Sequence, residues 1–370
     1  MRPFNLDRRM LKNMDWLLFI AMVIVLLLSL VMVYSASLTV TDDPFYYIKR
    51  HAIFICVGLV AYAFGLALDY TFLQRFAKTI YGIMIGLLLL VLAIGEEGLY
   101  GGGQSWIGVG SISLQPSEWS KVFLVFAQAA LLDHHENTSS LKTYIFSLLA
   151  MALPLFLVVI SDFGTATVLV VITLGMLLIY ETPWKYLLMT IGAGLSALPF
   201  LWKRLSEYQQ ARLTVFIDLE GSDPRYSWQL VQSLIAIGSG GLWGTGYLQG
   251  AQTQLSFLPE KHTDFIFATY AEEMGFVGAA LLVIVYLVMI WRIFSVAQTS
   301  IDRYGRLLAS GIGFMLLYHL VINVGMTLAV MPITGIPLPL VSYGTNSMIA
   351  TMLGLGIVTS IGLRRTKSIF

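Results

Sequence analysis

The stretch Ser256–Gly275, SFLPEKHTDFIFATYAEEMG, joins a cluster of charge to the start of a long apolar segment. The cluster comprises Glu260, Lys261, His262 and Asp264. The apolar segment that follows extends over residues 265–291. A carboxylate at the edge of a membrane helix is costly to place there unless it has a function. Because Asp264 is the carboxylate nearest to that edge, we take it as the first candidate for a catalytic residue.

The composition of the whole chain indicates a membrane protein. Of its 370 residues, 57% are hydrophobic and only 12% are charged, whereas a soluble domain has about 25% charged residues. Segments that cross a bilayer must close their backbone hydrogen bonds internally, which favours helices. We therefore predict an all-α polytopic membrane protein that forms a single domain over residues 1–370. The net charge of +1 gives no indication of partners, and no nucleic-acid partner is expected.

Apolar runs of about 20 residues, enough to cross a hydrocarbon core of about 30 Å, recur along the chain. They predict a bundle of about ten transmembrane helices with a long outer-face loop between the seventh and the eighth. The predicted spans are Trp16–Ser37, His51–Leu68, Thr79–Gly95, Glu118–Leu132, Tyr144–Ile160, Gly164–Tyr180, Tyr186–Trp202, Phe265–Trp291, Leu307–Val330 and Met348–Gly362.

Lysine and arginine residues are concentrated at both ends of the chain and in alternate loops. The positive-inside rule therefore predicts cytoplasmic N and C termini, which requires an even number of spans. The outer face then includes the loop between the first two spans and four more notable features, namely the glycine-rich loop 98–116, the tight break 161–164, the long loop 203–263 and the segment 331–347. Because the inner loops are short and function concentrates in structured loops, we expect the working face outside.

Three further charged residues are candidates for the same face. Glu118 and Lys121, three positions apart, share one side of a helix. They form either a structural ion pair or the lining of a polar cavity that positions a substrate, and both interpretations stay open. Asp162 precedes a helix that begins with glycine. It is either an N-cap, for which aspartate is well suited, or a secondary site residue.

Asp264 could also be an N-cap, but its charged neighbours and the acids of the following span argue for a functional role. Glu272 and Glu273 lie two turns further along and are interpreted as structural. Their expected partner is His319 or Asn323, which are spaced i, i+4 on one helix face. No histidine or cysteine spacing supports a metal site.

The long outer loop contains two recognisable stretches. Residues 226–237 place Trp228, Val231, Leu234 and Ile235 on one helical stripe, which predicts a helix on the membrane surface or over the bundle. Residues 238–246 (GSGGLWGTG) lack the spacing of a dinucleotide fingerprint, and no Gly-Lys-Ser/Thr follows them. No nucleotide cofactor is therefore expected. The alternative is a glycine-rich turn that lets the backbone approach a substrate or another loop closely.

The acidic candidates limit the chemistry. No nucleophile-elbow motif is present, which argues against acyl hydrolysis. A carboxylate base with Lys121 and Arg212 on the same side suits glycosyl transfer from a diphosphate-linked donor, since cations offset the charge of the departing diphosphate. Composition and spacing alone lead to a polytopic membrane enzyme or transporter with an acidic site at its outer face.

Four motifs together resemble the SEDS family (shape, elongation, division and sporulation proteins), and the resemblance covers nearly the whole chain. The motifs are FLPEKHTDFIFA with EEMG at residues 257–275, QPSE with Lys121 at 115–121, IGSGG at 237–241 and PLPLVSYG at 337–344. The short tails and residues 255–259 and 335–340 resemble the elongation-type members more than the division-type members. The chain departs from the family pattern at 161–164 (SDFG), 208–212 (YQQAR) and 342–346 (SYGTN).

The resemblance implies a peptidoglycan glycosyltransferase that polymerises lipid II at the outer face of the bacterial cytoplasmic (inner) membrane during cell elongation. Asp264 is then the general base for the acceptor hydroxyl. The expected substrate-binding residues are Glu118, Lys121, Asp162, Arg212 and His262. The expected protein partners are a class B penicillin-binding protein, which is a transpeptidase, and other proteins of the elongation complex. Whether a divalent cation, Mg²⁺ or Mn²⁺, assists is left open.

Two other functions remain as alternatives. A flippase or transporter of the lipid-linked precursor also fits ten spans with buried charges, although the charged motifs cluster at one face and no paired broken helices are evident in two halves. A scaffold without chemistry is the third interpretation, and it predicts that replacement of Asp264 leaves cell shape unaffected.

Overall fold

The computed structural model describes residues 13–97, 104–109, 112–135, 137–203, 207–219 and 221–364. Parts of both basic tails and of the predicted outer segment 98–116 lie outside these residues. The described chain is mainly helical. Its helices are α1 (Trp16–Ser37), α2 (Tyr46–Ala67), α3 (Tyr70–Arg75), α4 (Ala77–Ile94), α5 (Pro116–His134), α6 (Leu141–Val159), α7 (Phe163–Ile179), α8 (Trp184–Trp202), α9 (Glu207–Ile217), α10 (Pro224–Gly240), α11 (Ala251–Gln254), α12 (Ile266–Gln298), α13 (Arg303–Thr327) and α14 (Thr345–Leu363).

Each predicted span coincides with one of these helices. Within the described residues, seven helices are long and apolar enough to cross a membrane, namely α1, α2, α4, α6, α12, α13 and α14, and α7 is a shorter apolar helix. The polytopic helical architecture is therefore confirmed. The count of about ten spans and the position of the long loop stay predictions.

A small antiparallel sheet follows α4 and is a difference from the all-α prediction. It consists of β1 (Glu96–Glu97), β2 (Gln104–Val109) and β3 (Ile112–Leu114) in the order β1-β2-β3. Val109 pairs with Ile112, and Ile107 pairs with Leu114. These β-branched and apolar residues favour a pleated ladder, and the interpretation of this segment as a glycine-rich loop overlooked them.

The core of the bundle is built around α14, which is buried along nearly its whole length. It packs tightly on α2 through small residues, because a β-carbon added at Gly65 would lie 2.7 Å from the carbonyl oxygen of Leu353. Small residues at such contacts let two membrane helices approach closely. Tyr62 on α2 and Thr359 on α14 share a hydrogen bond of 3.1 Å between their hydroxyls.

Helix α12 is broken at Gly275, where φ is 66° and ψ is −170°. The glycine-rich segment 238–246 closes the break, because Phe276 N donates to Gly241 O at 2.9 Å and Val277 N donates to Leu242 O at 3.1 Å. A β-carbon at Gly244 would overlap the carbonyl of Glu273. The predicted close approach of this segment to another part of the backbone is thus confirmed. The pairing also satisfies backbone groups that a broken helix would otherwise leave unbonded.

The predicted helix at residues 226–237 is present as α10. The face that it turns toward the bundle is not the predicted apolar stripe. Leu230 and Ala236 are buried, and Ser233 donates its hydroxyl to Thr327 O at 2.8 Å. The predicted stripe faces outward, since Trp228 is 49% exposed and Ile235 is 45% exposed. The helix covers the bundle with a face that combines the apolar Leu230 with small and polar residues, which a count of apolar positions does not reveal.

The four segments predicted for the outer face meet at one end of the bundle. Ser105 donates its hydroxyl to Ser161 O at 3.4 Å, and Asn346 donates its side-chain amide to Ser113 O at 2.8 Å. Gly164 lies against the carbonyl of Thr334. This common end holds every candidate residue discussed next.

Candidate active site

Asp264 lies in the segment that leads into α12. The helix begins at Ile266, its N-cap residue is Phe265, and no side-chain hydrogen bond caps it. The alternative role of Asp264 as N-cap of this helix is therefore wrong. The carboxylate oxygen Oδ2 lies beside Gly335, in the segment between α13 and α14.

Arg212, on α9, reaches the same place from the long loop. A β-carbon added at Gly335 would lie 3.2 Å from Arg212 Nη1 and 3.2 Å from Asp264 Oδ2. Gly335 has a φ of 73°, in the left-handed region that favours glycine. The missing side chain of Gly335 thus leaves room for a cation and the candidate base at the same position. Arg212 and Asp264 therefore lie on one side of the molecule, as expected.

The segment that carries Asp264 adjoins an apolar cluster. Leu258, Phe265 and Ile333 belong to one buried apolar cluster with residues of α9 and α10. Burial raises the pKa of Asp264 to about 6, Arg212 lowers it, and Glu260 and Asp162 raise it further. A carboxylic acid whose pKa lies close to neutral can accept a proton at physiological pH and then release it.

Asp162 caps the N terminus of α7. Its Oδ1 accepts from Thr165 N at 2.8 Å, and its Oδ2 accepts from the hydroxyls of Thr165 at 2.7 Å and Ser117 at 3.3 Å. The N-cap interpretation is confirmed. The same carboxylate influences Asp264, so Asp162 also lies within electrostatic range of the candidate base.

Glu118 and Lys121 form an ion pair inside the bundle. Lys121 Nζ lies 2.6 Å from Glu118 Oε1, and the two side chains are only 3% and 5% exposed. Lys121 Nζ also lies 3.1 Å from His319 Nε2. The Nδ1 of His319 must carry the hydrogen, because its partner at 2.6 Å is the carbonyl of Met315, so Nε2 accepts from Lys121. The structural ion pair is confirmed, and substrate binding by these residues stays a prediction.

Asn323, one turn beyond His319 on α13, contacts the other half of the site. Its Nδ2 donates to Asp264 O at 3.0 Å and to Ile336 O at 2.8 Å. In the sequence, His319 and Asn323 stand out as a polar i, i+4 pair within an apolar span. The expectation that the pair binds Glu272 or Glu273 is wrong, because the glutamates lie against other elements.

Glu272 and Glu273 do have structural roles. Glu272 accepts from the backbone nitrogens of Gln252 and Thr253 at 2.7 and 3.1 Å, and Glu273 accepts from the hydroxyl of Ser35. Both carboxylates are buried. They fasten α12 to α11 and α1, and sequence spacing cannot predict contacts between such distant elements.

Lys261 and His262, two neighbours of Asp264 in the charged cluster, have separate environments. Lys261 Nζ is buried and donates to Thr253 O at 2.6 Å and Thr39 Oγ1 at 2.7 Å. Burial lowers the pKa of Lys261 to about 8, and Glu272 raises it. Lys261 therefore links the segment to α11 and to the end of α1.

His262, a predicted substrate-binding residue, packs among aromatic rings. Its ring centroid lies 4.8 Å from that of Tyr47 and 5.8 Å from that of Tyr343. Burial lowers the pKa of His262, with Glu260 raising it and Lys261 lowering it. His262 is thus a neutral ring in an aromatic group, two residues before Asp264 in the chain, and contact with substrate stays a prediction.

Three consecutive carbonyl groups in this segment are each bonded from outside it. His262 O accepts from Tyr343 N at 2.9 Å, Thr263 O accepts from Ser342 Oγ at 2.6 Å, and Asp264 O accepts from Asn323. The backbone leading to the carboxylate is therefore fixed residue by residue.

The donor set does not form a metal site by itself. Within the described ranges, no group of three or more histidine, cysteine, aspartate or glutamate side chains could hold a metal ion. The carboxylates of Asp162, Glu260 and Asp264 influence one another electrostatically without forming such a group. We therefore assign no reaction step to a protein-held cation.

Comparison with known proteins gives consistent relatives along nearly the whole chain. Stage V sporulation protein E of Bacillus subtilis (strain 168) is 35% identical over 356 residues, covering 94% of this chain and 96% of the relative. The peptidoglycan glycosyltransferase MrdB of Escherichia coli (strain K12) is 33% identical, with coverage of 95% and 94%. The FtsW protein of Hydrogenovibrio crunogenus is 32% identical, with coverage of 96% and 93%. Since these identities are similar, they do not separate elongation-type from division-type members.

Solved structures agree with the fold. A chain from a peptidoglycan synthase complex in which polymerization and crosslinking are coordinated superimposes with a TM-score of 0.81 at 28% identity, covering 96% of this chain and 99% of that chain. The rod shape determining protein RodA of Thermus thermophilus superimposes with a TM-score of 0.72 at 28% identity, with coverage of 96% and 98%. The profile of the cell cycle protein family FtsW/RodA/SpoVE matches residues 15–367. With its charged motifs gathered at one end of a helical bundle, the chain belongs to the FtsW/RodA/SpoVE family.

Proposed function

We propose that this peptidoglycan glycosyltransferase polymerises lipid II at the outer face of the cytoplasmic membrane, with Asp264 as general base. The observation that carries the proposal is the approach of Arg212 Nη1 and Asp264 Oδ2 to the same position beside Gly335, each 3.2 Å from a β-carbon added there. The pKa of about 6 for Asp264 supports it, because a base functions best when its pKa lies near the working pH.

In the proposed step, Asp264 takes the proton from the 4-hydroxyl of the acceptor GlcNAc. The hydroxyl oxygen forms a bond to C1 of the donor sugar, and the bond between C1 and the diphosphate oxygen breaks. The lipid diphosphate leaves with the electron pair. Asp264 then releases its proton to water, which restores the carboxylate.

Arg212 is the cation best placed to act on the leaving diphosphate. Its Nη1 lies beside the carboxylate of Asp264, on which it acts electrostatically. Cationic donors that face a developing negative charge lower the barrier to its formation. We assign Arg212 to the diphosphate, and Asp162, His262 and the Glu118–Lys121 pair to positioning of the substrate.

A divalent cation, Mg²⁺ or Mn²⁺, remains part of the proposal only as an ion bound by the oxygens of the substrate diphosphate. Mg²⁺ is commonly bound through substrate phosphates rather than by a protein cage. The measurement is polymer yield after treatment with EDTA and after addition of each metal. Full activity in EDTA would remove the cation from the proposal.

The proposed partner is a class B penicillin-binding protein, together with other elongation proteins. The likeness to a chain of a peptidoglycan synthase complex supports this. The elongation-type assignment rests on the motifs at residues 255–259 and 335–340. Its test is complementation: the gene should restore rod shape to cells depleted of their elongation polymerase and should not restore septation to cells depleted of the division polymerase.

The main experiment uses the chain purified with its transpeptidase partner and supplied with lipid II. Wild type should produce glycan polymer, and Asp264→Ala should produce none. Asp43→Ala is the control for loss of an aspartate, because Asp43 is exposed and pairs with Lys49 at 3.5 Å. Equal polymer from wild type and Asp264→Ala would overturn the catalytic assignment. Lipid translocation without polymer from wild type would establish the transporter instead.

The proposed orientation has its own test. In a Cys56→Ser background, a cysteine at Thr41 should react in intact spheroplasts with a membrane-impermeant maleimide. A cysteine at Ser139 should react only after the membrane is opened. The reverse pattern would place Asp264 at the inner face and exclude polymerisation outside.

A further inference from the structure

Asn323 contacts the backbone of the site and has no place in the proposed chemical step. It lies on α13 and is fully buried. Its Nδ2 bridges two carbonyl oxygens, those of Asp264 at 3.0 Å and Ile336 at 2.8 Å. The two residues come from different segments, one before α12 and one between α13 and α14.

A primary amide meets the chemistry of this bridge without adding a charge. A side-chain NH₂ has two hydrogens and can serve two carbonyls at once, whereas a carboxylate has only acceptors and a hydroxyl has one hydrogen. The opposite orientation of the amide would bring its oxygen against both carbonyls. Asn323 Oδ1 is buried and has no partner among the described residues. The side chain therefore uses both donors and leaves its acceptor unbonded.

The bridge fixes the two backbone segments next to the carboxylate of Asp264. Asp264 is held through its own carbonyl, and Gly335, beside which Asp264 Oδ2 and Arg212 Nη1 lie, immediately precedes the bonded Ile336. Of the three bonds to the carbonyls of residues 262–264, only the one from Asn323 comes from a bundle helix. The other two come from Ser342 and Tyr343, in the segment between helices.

We propose that Asn323 is a positioning residue that sets the geometry of Asp264, Arg212 and Gly335 by bridging the backbone of two outer segments. This inference rests on the proposed function of Asp264. Asn323 acts through the carboxylate and its neighbours, not by contact with the reacting atoms. Displacement of a reacting group by about 1 Å can reduce a rate by about 100-fold.

The test replaces Asn323 with Leu, which has similar size and no donor, and with Ser, which keeps one donor. Both variants are purified with the transpeptidase partner and assayed with lipid II per folded molecule. The expected kcat falls about 100-fold in Asn323→Leu and less in Asn323→Ser, while KM for lipid II changes little. If Asn323→Leu fails to fold, the Asn323→Ser variant carries the test alone.

The pH profile distinguishes positioning from loss of stability. The charged groups acting on Asp264 are Arg212, Glu260 and Asp162, and burial is the largest cause of its raised pKa. Freeing the segment admits water to the carboxylate, so the acidic limb of kcat/KM should move to lower pH. A profile that keeps its position, with a wild-type rate per folded molecule, would overturn the proposal.

Asn346 provides a matched control. It is also buried at this end of the bundle, where Trp119 Nε1 donates to its Oδ1 at 3.2 Å and its Nδ2 donates to Ser113 O. Asn346→Leu should lower the folded yield and leave the acidic limb unmoved. An equal shift in Asn346→Leu would refute a specific role for Asn323. Wild-type kcat and pH profile in Asn323→Leu, alongside an inactive Asp264→Asn, would refute only this inference, whereas an active Asp264→Asn would refute the proposed function itself.

Discussion

His319 and Asn323 lie one turn apart on α13, and each contacts a different half of the candidate site. His319 Nε2 accepts from Lys121 at 3.1 Å, and Asn323 Nδ2 donates to Asp264 O at 3.0 Å. One face of a single helix therefore connects the buried Glu118–Lys121 pair with the segment that holds the candidate base. A rotation or shift of α13 would move both halves together.

Replacement of Asp264 by Asn should abolish polymerisation and stabilise the fold. A general base contributes about 100- to 10,000-fold to a rate. The pKa of Asp264 is raised from 3.8 to about 6, so the ionised carboxylate weakens the folded state above pH 6, by about 3 kcal/mol. The Tm of Asp264→Asn in detergent at pH 7.5 should therefore exceed that of wild type, and a lower Tm would contradict the assigned environment.

The rate should depend on the protonation of Asp264. Because the base must be ionised, kcat/KM should fall as the pH drops through about 6. Arg212 lowers this pKa, so Arg212→Ala should move the acidic limb to higher pH. Arg212→Lys keeps the charge and should move it less. If the acidic limb of kcat/KM has the same position in wild type and in Arg212→Ala, Arg212 does not act on the pKa of Asp264.

The Glu118–Lys121 pair can be tested by a double-mutant cycle. Removing one partner leaves an uncompensated buried charge, which typically costs about 3–5 kcal/mol. Glu118→Gln and Lys121→Met should each lower the Tm, and the double variant should recover much of the loss. If the stable double variant polymerises lipid II normally, the pair is purely structural. If it is inactive, the pair also serves the substrate.

Gly335→Ala should reduce activity through the geometry of the site. The new β-carbon would lie 3.2 Å from both Arg212 Nη1 and Asp264 Oδ2, at a φ of 73° that strains an L-residue. Strain of this kind costs about 1–3 kcal/mol, and we expect at least a tenfold lower kcat. Gly344→Ala is the control, because a β-carbon there meets nothing within 4 Å. Equal rates for the two variants would contradict the close approach at Gly335.

Gly244→Ala should prevent the normal closure of the break in α12. Its β-carbon would overlap the carbonyl of Glu273, whereas a β-carbon at Gly238 meets nothing within 4 Å. The expected result is a large loss of monodisperse protein in size-exclusion chromatography for Gly244→Ala. Gly238→Ala should match wild type, since alanine favours the helix in which that residue lies.

The sequence predicts the helices well, because each apolar run long enough to cross a bilayer must satisfy its own backbone. The gathering of Asp162, Arg212 and Asp264 at one end also follows, since alternating loop charge assigns them to one face. Partners within the bundle do not follow. Lys121 and His319 are 198 positions apart, and nothing in their local sequences specifies how α5 and α13 face one another.

The break at Gly275 shows a second limit. The local sequence EEMGF continues a helical pattern, and the change of direction there arises from carbonyls supplied by residues 241 and 242. A helix can be interrupted within its length when a distant backbone segment supplies the hydrogen-bond partners. Such a feature depends on packing that is decided only after both segments are assembled.

The packing of α14 on α2 sets a condition on the biosynthesis of the chain. The bonded residues Tyr62 and Thr359 are separated by 297 positions, so the ribosome completes α2 long before its principal neighbour exists. Until α14 has been synthesised, the face of α2 that carries Gly58 and Gly65 contacts lipid or helices made earlier. A transcript that stops before α14 would still encode Asp264, Arg212 and Asp162, yet its product would be an open bundle exposed to proteolytic quality control.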